Sequence, residues 1–198
     1  PVPRMRHRRC ETPLRARMRG GPPERPRGYL MSESVQAPVT VSPARIEKHG
    51  SLLVAGVSQV YKLGDDFTPL WDELNQKASP AMLDILAVTQ YIGVCTQPST
   101  DGFVRYTAGI LVDDRASAHK LGLGLLELPA STYAVVEVTG PISRSIPAGF
   151  ESFEREFFPA HPQYRPLGGL EVYGRGDMQA ADYTMELWVP LLEVPASA

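Results

Sequence analysis

Apolar and polar positions along this chain fall into a pattern of strands and helices that is written twice. Leu52-Leu53-Val54-Ala55-Gly56-Val57 is a short β-prone run, and Gly64-Asp65-Asp66 breaks it. Phe67, Leu70, Trp71 and Leu74 then recur at i, i+3, i+4 and i+7, the stripe of an amphipathic helix, with Thr68 as N-cap and Pro69 at the first helical position. The apolar stretch from Met82 to Val88 fits helix or loop equally well. Tyr91 to Cys95 predicts a strand, residues 98 to 102 a turn, and Phe103 to Val112 the returning strand of a hairpin. Residues 115 to 131 connect to a second copy. Tyr133 to Val138 is again a strand, ended by Gly140-Pro141, and Phe150, Phe153 and Phe157 mark a helix ending before Pro159. Leu170 to Tyr173 and Tyr183 to Leu191 close a second hairpin. The order strand, helix, hairpin therefore predicts an α+β fold of two modules, about residues 45–114 and 131–192.

The copies also share letters. Tyr106, Thr107, Ile110 and Val112 are answered 77 residues later by Tyr183, Thr184, Leu187 and Val189. Strand parity then assigns faces. Tyr183, Met185, Leu187, Val189 and Leu191 share a uniformly apolar face suited to packing on helices, and Thr184, Glu186, Trp188 and Pro190 take the other. If Leu170 and Val172 match the apolar face, Glu171 and Tyr173 lie beside Glu186 and Trp188. In the first module the same reading groups Tyr91, Gly93 and Cys95 with Thr107, Gly109 and Leu111, the glycines making room opposite the carboxylates. Tyr106 has the apolar parity and reaches such a cleft only through a bulge.

Composition separates a tail from this body. Residues 1 to 30 hold nine arginines against two glutamates, six prolines and few large apolar residues, too little to offset chain entropy. We expect residues 1–44 to be a disordered basic, Pro-rich segment and residues 45–194 to form the domain. The basic run reads as sequence upstream of an ordinary start at Met31, as a flexible arm, or as a targeting segment, although it has no apolar h-region. Without those 30 residues the chain is acidic, with 11 basic and 20 acidic residues.

Several classes of chemistry find no support. Cys10 and Cys95 suggest no intradomain pair, which fits a reducing cytoplasm. The histidines at 7, 49, 119 and 161 have no metal-ligand spacing, so neither metal nor cofactor is expected. No run approaches the roughly 20 apolar residues of a membrane span. No Gly-x-Ser-x-Gly elbow occurs, and Cys95 has no nearby histidine, so a nucleophilic hydrolase is disfavoured.

An ordered set of motifs resembles the GyrI-like family. It comprises Leu128-Pro129-Ala130-Ser131-Thr132-Tyr133-Ala134-Val135, Gly140-Pro141-Ile142, Phe150 with Phe153, Glu171-Val172-Tyr173 and Leu187-Trp188-Val189-Pro190. Trp71 and Phe103-Val104-Arg105-Tyr106-Thr107-Ala108-Gly109 extend it into the first half. That family includes the gyrase-inhibitory protein and the ligand-binding halves of AraC-type and MerR-type multidrug-sensing regulators. The resemblance implies tandem strand-helix-strand-strand modules with a pseudo-twofold axis, an antiparallel sheet with helices on one face, and a ligand cleft between the modules.

It also implies that a glutamate at Glu171, among aromatic rings, recognises lipophilic or cationic small molecules, with Trp71 walling the cavity. The residues expected at the site are Glu171, Tyr173, Trp188, Trp71, Tyr106, Tyr91, Glu186, Gly93 and Gly109. The function expected is non-catalytic binding for sensing, sequestration or detoxification. Two alternatives are a hydrolase of electrophilic xenobiotics, with Glu171 and Glu186 as general base and acid, and a protein-interaction module acting on gyrase or on a separate regulator. Residues 1 to 44 hold no helix-turn-helix, so direct nucleic-acid binding is not expected of the folded part.

Overall fold

The computed structural model describes residues 38–62, 64–78, 90–96 and 98–194. Most of the expected tail, and the Met82 to Val88 stretch, lie outside them. The elements are β1 (Thr40–Val41), β2 (Arg45–His49), β3 (Leu52–Lys62), α1 (Thr68–Lys77), β4 (Tyr91–Thr96), β5 (Phe103–Val112) and α2 (Arg115–Lys120). The second half adds β6 (Gly124–Leu128), β7 (Ser131–Thr139), α3 (Ile142–Ser152), β8 (Tyr164–Pro166), β9 (Gly168–Val172) and β10 (Thr184–Glu193). A π-helical turn, Phe153–Phe157, joins α3 to a last α turn, Phe158–Ala160, so the second helix runs on through Pro159. Ordered chain begins before residue 45, since β1 pairs with the end of β7.

The strands form one antiparallel sheet whose main path is β1-β7-β10-β9-β4-β5-β3-β6. Its two ends are tied together. β2 leads into β3 through Gly50 and Ser51, and β6 leads into β7 through Pro129 and Ala130. These two stretches pair in one unbroken register: Arg45 faces Val135, His49 faces Ser131, Leu52 faces Leu128 and Gly56 faces Gly124. Each module thus lends its leading strand to the other. Residues 115 to 131, expected only to connect, contain α2 and the lent strand β6.

Because this ribbon bonds β5 on one side and β10 on the other, the sheet curls round on itself. Four strands lie between β3 and β7, about 24 Å in a flat sheet. One buried cluster nevertheless runs from Val54 through Ile92, Leu170, Val172 and Trp188 to Val135. That cluster fills the inner face. The outer face carries two further cores, Leu70 and Leu74 of α1 over Ala55, Val57, Ala108 and Ile110, and Phe153 and Phe157 over Val136, Val138, Met185 and Leu187.

The pseudo-twofold axis can be found from the ladders. Matching the breaks at residues 50–51 and 129–130 sets Val57 against Val136. Val57 pairs with Ala108 and Ala108 with Gly93; Val136 pairs with Leu187 and Leu187 with Glu171. Gly93 pairs with Glu171 itself. A single row therefore crosses six strands, and the axis passes between Gly93 and Glu171. By the same match Tyr106 answers to Met185, so the lettered repeat at Tyr106 and Tyr183 lies two residues out of structural register.

The start of α1 also differs from the reading above. Phe67, not Thr68, is the N-cap, and the Asp66 carboxylate accepts the Thr68 amide at 2.9 Å.

Candidate functional site

Glu171 sits at the seam where β9 meets β4, on the outer face, half-buried, with its carboxyl surrounded by protein on nearly every side. Both Tyr106 and Tyr173 donate their hydroxyls to its Oε2, each at 2.6 Å. Trp71 Nε1 donates in turn to the Tyr106 oxygen at 3.2 Å. Three aromatic donors on α1, β5 and the end of β9 thus form a chain ending on one carboxylate oxygen.

Rings close the surroundings. The Trp71 indole meets the Tyr173 ring edge to face at 5.2 Å and lies 6.3 Å from Tyr91. Phe67 stacks on Tyr106 at 4.3 Å. Trp71 and Tyr91 pack against both outer cores, which locates them at the boundary between the modules. Phe150 reaches the seam from α3, since a Cβ at Gly169 would meet its ring at 2.7 Å. Gly93 is a requirement here, because a Cβ would collide with the Tyr106 hydroxyl and come within 2.6 Å of Glu171 Oε2.

The electrostatics follow from burial. Loss of water raises the Glu171 pKa, and the two phenol hydrogen bonds only partly oppose this. Tyr106 and Tyr173 are held neutral, first by burial and then by the Glu171 charge. The same two causes push the Cys95 thiol up to about 11, which disfavours its thiolate at neutral pH. Among the described residues no Lys, Arg or His forms an ion pair with Glu171. Two hydrogen bonds to a charged group contribute about 3–6 kcal/mol together, of the same order as the several kcal/mol that burying an ion costs, and the raised Glu171 pKa means that burial prevails. No cationic side chain among the described residues adds to these hydrogen bonds.

Of the residues expected at the site, Glu171, Tyr173, Trp71, Tyr106, Tyr91 and Gly93 come together. Glu186, Trp188 and Gly109 do not. In the β9–β10 ladder Leu187 stands opposite Glu171, and Trp188 opposite Leu170. Directly opposed residues share a face, so Glu171 lies with the helices and Glu186 and Trp188 lie on the inner side. Gly109 pairs with Ile92, and a Cβ there would meet Val54 of the inner core at 2.5 Å. Tyr106 pairs with Cys95 and needs no bulge to reach the seam. Parity misled because these strands are buried on both faces, where alternation carries no sign of which side holds the helices.

Glu186 has a separate setting. Arg45 bonds it and Glu47 together, His49 Nε2 lies 2.9 Å from Glu47, and Trp188 Nε1 donates to Glu186 at 2.9 Å. The His49 ring lies over Trp188 at 4.2 Å. Phe67, Phe150 and Arg45 are the contributors that the sequence reading missed. Phe67 and Phe150 looked like ordinary helical apolar positions, and nothing about Arg45 in the sequence marked it.

Among the described residues no group of three His, Cys, Asp or Glu could hold a metal, and no helix is long and apolar enough to cross a membrane.

A curled antiparallel sheet with outer helices and a ring-walled carboxylate at a pseudo-twofold seam defines an α+β small-molecule-binding domain. The chain belongs to the GyrI-like small molecule binding domain family, whose model matches residues 43–192. Solved structures share the fold. SAV2435 bound to tetraphenylphosphonium is 21% identical, with a TM-score of 0.61 over 76% of this chain and 94% of its own. An integron cassette protein from the mobile metagenome of Vibrio cholerae is 15% identical, with a TM-score of 0.58 over 78% and 99%. The EcmrR C-terminal domain is 14% identical, with a TM-score of 0.51 over 77% and 98%. No curated protein matches.

Proposed function

We propose that the seam binds a lipophilic cation, held by Glu171 and walled by Trp71, Tyr91, Tyr106 and Tyr173, in the service of sensing or sequestering such compounds. The observation that carries this reading is a carboxylate held by two phenols and paired with no cation among the described residues. A cation that arrives with its own apolar surface satisfies the carboxylate without exposing the cleft to water, and aromatic faces add roughly 0.5–2 kcal/mol of cation–π attraction. The cation bound by SAV2435, tetraphenylphosphonium, is of this kind.

The paired-carboxylate hydrolase has no counterpart, since Glu171 and Glu186 occupy opposite faces of the sheet. Calorimetric titration of the wild-type protein and of Glu171→Gln with tetraphenylphosphonium tests the binding reading. Saturable binding that the substitution weakens supports it; equal affinity in both proteins overturns it.

A further inference from the structure

The two halves of the seam differ in kind, not only at one residue. With Gly93 set against Glu171, Cys95 answers to Tyr173 and Met185 to Tyr106. The buried stripe Leu70, Leu74 and Ala78 answers to Ser145, Gly149 and Phe153, which sets Ile146 of α3 against Trp71 of α1. One half therefore offers a carboxylate, two phenols and an indole. Its mate offers hydrogen, a thiol held neutral, a thioether and an alkyl group.

Among the described residues no other acid compensates for this. Asp72 and Glu73 on α1, Glu151 on α3, and Glu154 and Glu156 on the π-helical turn are exposed to solvent. Glu73 already holds Lys77, and Glu151 holds Arg155. A second positive charge placed across the axis would lose its water and meet no anion among the described residues, a penalty of several kcal/mol before relaxation.

Resting on the binding reading above, we infer that the seam selects monocations and rejects dications of the same shape. The glycine at the position equivalent to Glu171 sets this selectivity. The charged end of the ligand lies over Glu171, and its neutral end lies toward Cys95, Met185 and Phe150.

A matched pair of probes isolates charge from shape: N-methyl-4-phenylpyridinium carries one charge, and methyl viologen carries two on nearly the same frame. Calorimetry on the full chain should give the monocation at least about tenfold tighter binding, the ratio that one uncompensated buried charge readily exceeds. Cys95→Asp, checked for folding by its melting curve, supplies a second carboxylate along the seam and should narrow that ratio several-fold. Methyl viologen binding as tightly as the monocation to the wild-type protein would overturn the inference while leaving the binding reading intact. A folded Cys95→Asp protein with an unchanged ratio would also overturn it. If neither probe nor tetraphenylphosphonium binds, the binding reading falls, and this inference with it.

Discussion

Glu171 and Glu186 lie on adjacent strands, each beside an aromatic donor, yet they have opposite fates. Glu186 meets Arg45 and the Trp188 indole at the rim of the inner core, with about a third of its side chain exposed. Its charge is matched within the protein and screened by water. Glu171 receives only neutral phenols and lies in a dense part of the outer face. A carboxylate among rings is therefore not by itself a binding site. What sets Glu171 apart, on the function proposed here, is a charge that no cationic side chain among the described residues offsets.

Charge removal is the sharpest way to break this contrast. Glu171→Gln should weaken tetraphenylphosphonium binding by about a hundredfold, the scale of a desolvated charge contact, while Glu186→Gln should leave it within about twofold. Titration calorimetry on both variants decides the matter, and comparable losses would erase the distinction.

The glycines come next. Gly93→Ala and Gly109→Ala both force a Cβ into occupied space, so each should cost about 1–3 kcal/mol in chemical denaturation, as overpacking does. Only Gly93→Ala, which displaces Tyr106 and Glu171, should also reduce cation affinity.

Acidity sharpens the comparison further. Burial raises the Glu171 pKa in the folded state, so the folded protein holds that proton more tightly than the unfolded chain does. This stabilises the unliganded protein fully below the ordinary carboxylate range, and the contribution is lost as pH rises through the raised value. Melting temperature should accordingly fall over that window in the wild type and less in Glu171→Gln, whereas cation affinity should rise with pH over the same range. A wild-type profile parallel to that of the variant would contradict the assignment.

Tyr106→Phe and Tyr173→Phe should each weaken cation binding by several-fold, because the carboxylate loses a hydrogen bond that favours its charged form. Smallest of all, Arg45→Ala breaks a partly exposed pair and should cost about 0–1 kcal/mol in denaturation without altering ligand affinity.

The sequence made the elements legible because helix stripes such as Leu70 and Leu74 bury one side only, and because Gly140-Pro141 and Gly64 punctuate the chain. It also singled out Glu171, Tyr173, Trp71, Tyr106, Tyr91 and Gly93. Their grouping was not legible from alternation. Leu170, Val172 and Trp188 are apolar because a second core lies inside the curl, and a strand with apolar residues on both sides gives no indication of which side the helices cover. The lent strands were hidden for a different reason. Arg45 to His49 is a polar segment whose structure comes from pairing with β7, far away in sequence, and local propensity does not report such partners. Family motifs supplied what periodicity lacked, since the resemblance set Glu171 at the boundary between the modules before its face was known.

The uninterrupted ribbon of β2–β3 and β6–β7 also limits how the halves can be separated. A chain cut between Val112 and Gly124 would leave β3 without β6 and β7 without β2, exposing backbone donors and acceptors on both fragments. Each fragment is therefore expected to fold only by capturing the other. Pairings between residues 45 and 135 must close a long loop before they contribute anything, which predicts slow folding, to be checked by stopped-flow refolding. The internal duplication, which by letter looks like two interchangeable parts, is joined through exchanged strands, so that each module's sheet is completed by the other.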